Sequence, residues 1–329
     1  MTGGRGVVAF MASRLAQAVV VIAAVATFVF VLMHLAPGDP FAAALDNPNV
    51  TESIRARWRA AYGLDERLDQ QYVRYIANLA RGDLGYSFSM RRPVLDVLGD
   101  ALPNTVLLAG SALVLGFGGG ILLAVTQVRR PGSRADRAIG AASMFFYAMP
   151  DFWLAVMMVL IFAYWIPILP AAGAIDPVMH EYMGAGARGL DRLRHLVLPA
   201  ATLALLSAAG VARYQRAELL RVLPDDFVRT ARAKGLTEHR ILTRHVLRNA
   251  LIPTVSLLGL SLPVLFTGAV FVERVFAWPG MGWVVLNAVA TRDYQLVTAG
   301  VIVAAAIVTV ASLATDVLYA VVDPRVQRH

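Results

Sequence analysis

The sequence predicts an all-α transmembrane protein with about six membrane-spanning helices. Hydrophobic residues make up 58% of its 329 residues and charged residues only 16%, and the mean hydropathy is +0.61. Soluble domains carry about 25% charged residues, so this composition excludes an ordinary soluble protein. The apolar residues are also gathered into long runs, and a helix needs about 20 of them to cross the hydrocarbon layer of a membrane.

Six runs are apolar and long enough, or nearly so, to be these helices. The second run has no formal charge in 28 residues, whereas the third is interrupted at Asp151 and the sixth at Asp316. The fourth run is short but continues into an amphipathic extension. The predicted spans are 15–35, 101–128, 138–166, 196–212, 249–272 and 294–322.

The first run has one property of a signal peptide, because Arg5 and Arg14 precede it. Its apolar part is longer than the roughly 7 to 15 residues of a signal sequence. The residues that follow, HLAPGDPF, are not a small-residue cleavage site. We therefore expect a retained helix.

A long segment, 36–100, separates the first two spans and contains a predicted amphipathic helix. Its apolar residues recur three to four positions apart, and the pattern stops at Gly82. We expect this stripe to pack on the protein's own spans; a docking face is the alternative. The chain then divides into the N-terminus with the first span (1–35), this loop (36–100) and a five-span core (101–329). The apolar stripe comprises Leu68, Tyr72, Tyr75 or Ile76, and Leu79.

The distribution of positive charge predicts the orientation, because Lys and Arg are enriched in cytoplasmic loops. Seventeen basic residues lie on the side of the two termini and of segment 213–248, against five on the other side when the long first loop is left out. A loop as long as 36–100 translocates largely regardless of its charge. We expect both termini and segment 213–248 to be cytoplasmic.

Several kinds of site have no basis in the sequence. There are no cysteines, which excludes disulfides and thiolate metal sites, and the six histidines lack an HExxH-like spacing. No GxxxxGK[ST] loop for ATP phosphates occurs, so this chain cannot bind ATP by that route. The net charge of +8 comes from basic residues at span ends. We therefore predict no nucleic-acid binding, no catalytic residues and no metal or cofactor in this chain.

The segment 226–253 reads DFVRTARAKGLTEHRILTRHVLRNALIP and is strongly basic. Its pattern predicts a helix, a turn and a second helix. Asp225 and Asp226 favour a helix start, Gly235 a helix end, and Thr237 a second start. We expect a short cytoplasmic hairpin with basic residues around a glycine turn, leading into the fifth span.

This segment resembles the cytoplasmic loop of the inner-membrane permease subunits of ABC importers, in the family that takes up peptides, nickel and glutathione. The resemblance covers nearly the whole chain and is highly specific when its motifs are taken together. The length of the first loop is similar to that of the B-type subunit, the first of two paired permeases. The further motifs are MHLAPGDPF, QYVRYIANLARGDLGYS, LPNT, MPDFWLAV, VERVFAWPGMGWVVLNAVATRDYQ and DVLYAVVDPR.

The resemblance implies the type I ABC importer permease fold and a set of partners. These are a second homologous permease subunit, two cytoplasmic ABC ATPase subunits, an external substrate-binding protein, membrane lipid and the transported peptide. ATP and Mg would act on the ATPase subunits. The chain would lie in a bacterial plasma membrane as a multi-pass protein and take up di- or oligopeptides by alternating access.

The same resemblance implies that the basic hairpin is the coupling element, which inserts into a cleft on the ATPase. The general importer motif has Glu-Ala-Ala, three residues, Gly, nine residues and Ile-x-Leu-Pro. Here Arg229, Thr230 and Ala231 precede Gly235, and the acid and the proline are missing, as in the peptide-type variant. A loop that only sets topology and touches anionic lipid is the alternative. Within the coupling loop 213–252, the expected coupling residues are Arg229, Thr230, Ala231, Arg232, Ala233, Lys234, Gly235, Leu236, Thr237 and Glu238.

Three residues within the predicted spans are candidates for the translocation path. A charge such as Asp151 at mid-bilayer costs about 2.5 to 3.5 kcal/mol by insertion scales unless it faces protein or water. It would either line the path and meet a peptide's amino group, or be a structural partner for an arginine, or mark a helix break that leaves it in the interface. Pro263 and Gly259 make the fifth span prone to kinking, which suits gating. Glu273 and Asp316 are expected to be structural pairs or caps.

Other functional classes stay open from the residues alone. A secondary transporter would need no ATPase and should show inverted repeats and ionisable relays at mid-membrane, whereas this sequence shows one central carboxylate and no repeat. A membrane-anchored scaffold or receptor would use the basic hairpin only for docking. Within the resembled family, nickel and glutathione are alternatives to peptides.

Overall fold

The computed structural model describes residues 3–35, 51, 53 and 66–322. The motif MHLAPGDPF and the end of DVLYAVVDPR therefore lie largely outside the described residues. Helices dominate the first part of the chain, and the elements there are α1 (Gly3–Leu35), α2 (Leu68–Ala80), β1 (Tyr86–Ser87), β2 (Arg92–Pro93) and α3 (Val94–Arg129).

The rest of the chain is helical and includes two π turns. In order, the elements are α4 (Arg134–Tyr147), α5 (Asp151–Val159), a first π turn (Leu160–Trp165), a 3₁₀ turn (His180–Tyr182), α6 (Ala185–Val222), α7 (Asp226–Ala233), α8 (Glu238–Arg240), a second π turn (Ile241–Val246), α9 (Leu247–Val275), α10 (Met281–Ala290) and α11 (Tyr294–Val322).

The all-α prediction is confirmed for the helices and wrong in one detail, the pairing of β1 with β2. The two strands run antiparallel, with Tyr86 opposite Pro93 and Ser87 opposite Arg92. They contain only two residues each, so the alternation of apolar and polar residues that identifies a strand has no room to develop.

Among the described residues, four helices are long and apolar enough to cross a membrane, or five if the bent pair α4 and α5 forms one span. The four are Ala12–Leu35, Val94–Arg129, Ala185–Val222 and Tyr294–Thr315. The predicted fifth span, 249–272, lies within the 29-residue α9. The side chains of residues 262–268 in α9 are outside the described set.

The third predicted span is not one continuous helix. Its two parts, α4 and α5 with the first π turn, meet at an angle of 105°. Pro150 explains the break, because proline has no N–H to donate and disfavours the helical conformation of the residue before it. Asp151 consequently lies in the first turn of α5, directly after a helix break, which was one of the structural alternatives for this residue.

The described residues fall into two compact units, Met1–Pro103 with Gly280–Val310 and Asn104–Pro279 with Ala311–His329. In the first unit, α2 packs on α1 as predicted. The Tyr72 and Thr27 hydroxyls lie 2.7 Å apart, and the rings of Tyr72 and Phe30 meet edge to face at 5.2 Å. The middle of the stripe is thus in contact with the protein's own first helix, whereas Leu68 at its start is 60% exposed.

In the second unit, the core includes a buried polar contact that explains Glu273. This residue is fully buried, and its Oε1 accepts a hydrogen bond of 2.7 Å from the Thr105 hydroxyl. Nearby, the indole N–H of the buried Trp278 donates to the carbonyl of Asn104 at 3.0 Å. Both bonds join the start of the second span to the end of α9, so Glu273 has the structural role expected for it.

Candidate functional site

The basic hairpin begins with α7 and turns at Gly235. This glycine has φ = +76°, a left-handed conformation that favours glycine. Its N–H bonds to the Arg232 carbonyl at 2.9 Å, and the N–H of Leu236 bonds to the Ala231 carbonyl at 3.3 Å, which is the pattern of a glycine-capped helix end. The predicted stop of the first helix is confirmed.

The second half of the hairpin starts at Thr237. Its hydroxyl accepts a hydrogen bond from the N–H of Arg240 at 3.4 Å, which is the capping contact of a helix start. The chain then passes through α8 and the second π turn before α9 begins. The predicted second helix is therefore present as a composite of a short α turn and a π turn.

The underside of the hairpin is buried and apolar. Val228, Ile241 and Val246 have no exposed surface, and Ala231 is 6% exposed. They belong to one cluster with residues at the ends of α3 and α6, so the hairpin is packed against the ends of two long helices. The residues that the long helices contribute to this cluster are Ala124, Val125, Val128, Leu219 and Val222.

The outer face of the hairpin is exposed and mostly basic. Arg229, Arg232 and Lys234 are all on this face, beside a partly exposed Phe227. Arg232 holds Glu238 across the turn, with Nε to Oε1 at 2.7 Å and Nη2 to Oε2 at 3.2 Å. This bidentate contact lowers the pKa of Glu238 below its ordinary value. A second, exposed ion pair joins Arg229 to Asp226 at 3.5 Å. The surface presented outward is therefore a cationic ridge whose turn is held by the Arg232–Glu238 pair.

Two buried polar side chains tie the base of the hairpin to the long helices. The Gln215 amide on α6 donates to the carbonyl of Ala250 on α9 at 3.2 Å, and its oxygen accepts a hydrogen bond from the Thr254 hydroxyl. Gln215 is fully buried and Thr254 is 2% exposed. Because a buried polar group is costly without its partner, these bonds fix α9 against α6 directly above the hairpin.

A second polar network, here called the junction, surrounds Asp136 at the start of α4. Arg216 on α6 donates from Nε and Nη2 to the two carboxylate oxygens of Asp136, each at 2.9 Å. Gln127 donates to Oδ1 at 3.0 Å, and the N–H of Gly132 donates to Oδ2 at 2.9 Å. The carboxylate is 5% exposed and well paired. The junction thus links α3, α4 and α6.

Beyond the junction, an open groove of about 890 Å³ lies between the bend and α6. Side chains of α6 at three- to four-residue spacing form one wall, from Leu203 to Tyr214. The Tyr147 ring packs on that wall at Gly210 and lies 3.5 Å from the position that a Cβ would take there. Arg213 stacks over the same ring at 4.9 Å. The lining residues are Phe117, Tyr147, Met149, Asp151, Leu203, Leu206, Ser207, Gly210, Val211, Arg213, Tyr214, Leu257, Leu260 and Ser261.

The three residues predicted for a translocation path have different surroundings. Asp151 lines the groove and accepts a hydrogen bond from the N–H of Phe152 at 2.8 Å. Gly259 is buried against Thr315 of α11, so closely that a Cβ at this glycine would overlap the threonine side chain. Pro263 lies within α9, and its side chain is outside the described residues.

Sequence reasoning missed Arg213 and Tyr147 as members of the groove. In the sequence, Arg213 is the first of the basic residues in segment 213–248. The signal that was available is its position three residues after Gly210 on one face of α6, but its partner Tyr147 lies far away in sequence. Within the described residues, no group of three or more His, Asp or Glu side chains is placed to hold a metal ion.

Two family models match this chain over most of its length. Residues 116–328 match the model described as "Binding-protein-dependent transport system inner membrane component". Residues 7–109 match the N-terminal model of a membrane component of the same kind of system.

Curated relatives match nearly end to end. The chain is 34% identical to the oligopeptide transport system permease protein AppB of Bacillus subtilis, over 97% of this chain and 99% of the relative. It is 34% identical to the di/tripeptide permease DppB of Pseudomonas aeruginosa (97% and 98%) and 36% identical to the oligopeptide permease OppB of Haemophilus influenzae (97% and 99%).

A solved structure shares the fold. A chain of the inward-facing MetNI methionine ABC transporter aligns with a TM-score of 0.54 and 19% identity, over 70% of this chain and 98% of that one. At this level of identity the match concerns the fold alone.

Proposed function

This chain belongs to the family of binding-protein-dependent transport system inner membrane components, and from that membership we propose that it is the pore-forming permease subunit of an ATP-driven ABC importer of peptides. The printed names of the relatives, which are di-, tri- and oligopeptide permeases, support peptides as the cargo. Nickel or glutathione is the alternative cargo within the family.

The proposal includes a topology of six spans with both termini in the cytoplasm of a bacterium. The bent pair α4 and α5 counts as the third span, α9 as the fifth, and the division 1–35, 36–100 and 101–329 is retained. The excess of Lys and Arg on one side of the chain supports this orientation.

The observation that carries the mechanism is the two-faced hairpin. Its outer ridge, from Arg229 to Glu238, would dock into a cleft on a cytoplasmic ATPase subunit. Its underside is packed against the ends of α3 and α6. Because a packed core moves as a body and does not deform continuously, a displacement of the docked ridge would be passed directly to the long helices.

The chemistry of ATP hydrolysis would then belong to the partners. Two ATPase subunits would bind ATP and Mg, and this chain would act as a transport subunit and not as an enzyme. A second homologous permease would close the open side of the groove, and an external binding protein would deliver the cargo. Asp151, Gly259 and Pro263 remain proposed members of the path, Asp151 as a lining residue and the other two through the packing and bending of α9.

The turn at Gly235 offers a direct test of coupling. Gly235→Pro removes the N–H that bonds to Arg232 and forbids the positive φ, so uptake and binding-protein-stimulated ATP hydrolysis should both be lost while the chain remains inserted. Gly235→Asn is the matched control, because asparagine tolerates positive φ, and it should keep most of the uptake. Normal peptide uptake by Gly235→Pro would contradict the coupling role.

Purification in mild detergent tests the assembly itself. A tagged chain should bring down a second permease and an ATPase, and a cysteine replacing the exposed Lys234 should crosslink to that ATPase. Recovery of the chain alone or as a homodimer, without a crosslink, would favour a secondary transporter.

A further inference from the structure

The groove beside the bend contains two charged side chains of opposite sign. Among its described lining residues, Asp151 and Arg213 are the charged ones, and the others are apolar, aromatic or hydroxyl-bearing. In the described part of the chain neither takes part in an ion pair. Asp151 bonds to the N–H of Phe152, and Arg213 stacks on Tyr147. The groove therefore offers a carboxylate and a guanidinium that are both free to meet a solute.

The stacking of Arg213 leaves its hydrogen-bonding edge available. A cation–π contact attracts the guanidinium to the ring without giving its N–H groups a hydrogen-bond acceptor, so these groups can still bond to a solute. The Tyr147 ring also packs against α6 at Gly210, where a Cβ would lie in ordinary contact with the ring, 3.5 Å away. Arg213 is thus oriented by its neighbours without being neutralised by them, which is the arrangement that suits bidentate recognition of a carboxylate.

The cost of the charges indicates which way the groove faces. A charged side chain in a membrane-spanning segment is expensive toward lipid and is expected to face protein or water. This applies to Asp151, which is in the proposed third span, whereas Arg213 directly follows the predicted fourth span, 196–212. A groove of about 890 Å³ lies within the size range of small-molecule sites, roughly 300 to 1,000 Å³.

We propose that Arg213 binds the free carboxylate of the cargo and Asp151 its ammonium group, so that the groove selects zwitterionic peptides while its apolar walls accept varied side chains. This inference rests on the proposed function, since it assigns the cargo contacts of the same permease. The apolar wall includes Leu203, Leu206 and Leu257. These side chains offer no polar group that would select one peptide side chain over another. The selection is for the charged ends of the peptide.

The test uses the complete importer, with its partner permease, ATPases and binding protein, reconstituted in proteoliposomes. Uptake is measured for one peptide as the free acid and as its carboxyl-terminal amide, each supplied at concentrations that saturate the binding protein. Binding-protein-stimulated ATP hydrolysis is measured in the same preparations. The variants are Arg213→Gln, Arg213→Lys and, as a control for loss of one positive charge, the exposed Arg137→Gln.

The wild-type complex should take up the free acid at least about tenfold faster than the amide, a ratio expected from one charge-assisted bidentate contact. Arg213→Gln should bring that ratio close to one while stimulated ATP hydrolysis is kept. Arg213→Lys should restore part of the preference, and Arg137→Gln should match the wild type.

Three results would overturn the inference. An unchanged ratio in Arg213→Gln, an equal loss of uptake for both cargoes, or no preference in the wild type would each do so, the second indicating a structural or lipid-facing arginine. In all three cases ATP-driven peptide uptake by the wild type would leave the proposed function standing. A wild-type complex that neither transports peptide nor hydrolyses ATP with the binding protein would instead count against the proposed function.

Discussion

The junction and the groove each contain an aspartate from the bent segment and an arginine from α6, but they treat these charges differently. At the junction, Asp136 accepts four hydrogen bonds of 2.9 to 3.0 Å, two of them from Arg216. In the groove, three residues earlier on α6, Arg213 stacks on a ring and Asp151 bonds only to local backbone in the described structure. The comparison indicates that a charged side chain in this protein is structural where the protein supplies its ion-pair partner. Where the protein supplies no such partner, the charge is available to a solute.

The largest loss of stability should come from removing the carboxylate at the centre of the junction. Asp136→Ala removes the acceptor of Arg216, Gln127 and Gly132 together, and a buried donor without a partner is costly. The melting temperature of the purified complex should fall by about 5 °C or more. Asp151→Ala, the matched change in the groove, should leave it within about 2 °C. Similar losses in both variants would erase the distinction between the two regions.

A medium effect should come from the helix contact beside the junction. A Cβ at Gly120 of α3 would lie 2.6 Å from Cβ of Val211 and 2.9 Å from the Ala208 carbonyl on α6, so Gly120→Ala should push the helices apart and cost about 1 to 3 kcal/mol. Gly118→Ala on the same helix meets nothing within 4 Å and should be neutral or slightly stabilising. Thermal unfolding of both variants measures the difference. An unaffected Gly120→Ala would mean that the junction does not depend on this contact.

The smallest effect should come from a third carboxylate–arginine pair, which is exposed. Because Arg232 lowers the pKa of Glu238, the pair stabilises the turn above the ordinary glutamate pKa of about 4.3 and the contribution is lost as the pH falls through the lowered value. Between about pH 6 and 8 the stability of Glu238→Gln relative to wild type should therefore not change with pH. The measurement is the melting temperature across that range, and a difference that varies by more than about 2 °C would show that Glu238 has another titrating partner.

The hairpin could be predicted from sequence because its determinants are local. Gly235 needs positive φ, Thr237 caps the next residues, and Val228 with Ala231 marks one face of α7. The pattern that predicts α2 is equally local, and the predicted helix end at Gly82 lies close to the observed end at Ala80. In each case the residues that decide the conformation lie within a few positions of one another.

The groove and the junction could not be predicted because their partners are distant in sequence. Pro150 predicts an interruption, but the 105° angle depends on how α4 and α5 pack against α6. Asp136 lies in the first turn of a helix, where an acidic residue is common. No residue near it in sequence indicates that Arg216 is its partner. The closeness of Gly259 to Thr315 likewise follows from the packing of two helices and not from any local pattern.

The second π turn, Ile241–Val246, has a consequence for anyone who exchanges parts between transporters. A π turn accommodates one extra residue compared with an α-helix, and one residue of an α-helix corresponds to a rotation of about 100°. A chimera whose joining point lies within these six residues would place the ridge on a different side of α9. Deleting one of the six residues, which would convert the π turn to an ordinary α-helix, would have the same effect. Graft boundaries therefore belong after Val246, so that the hairpin travels with the turn that sets its direction.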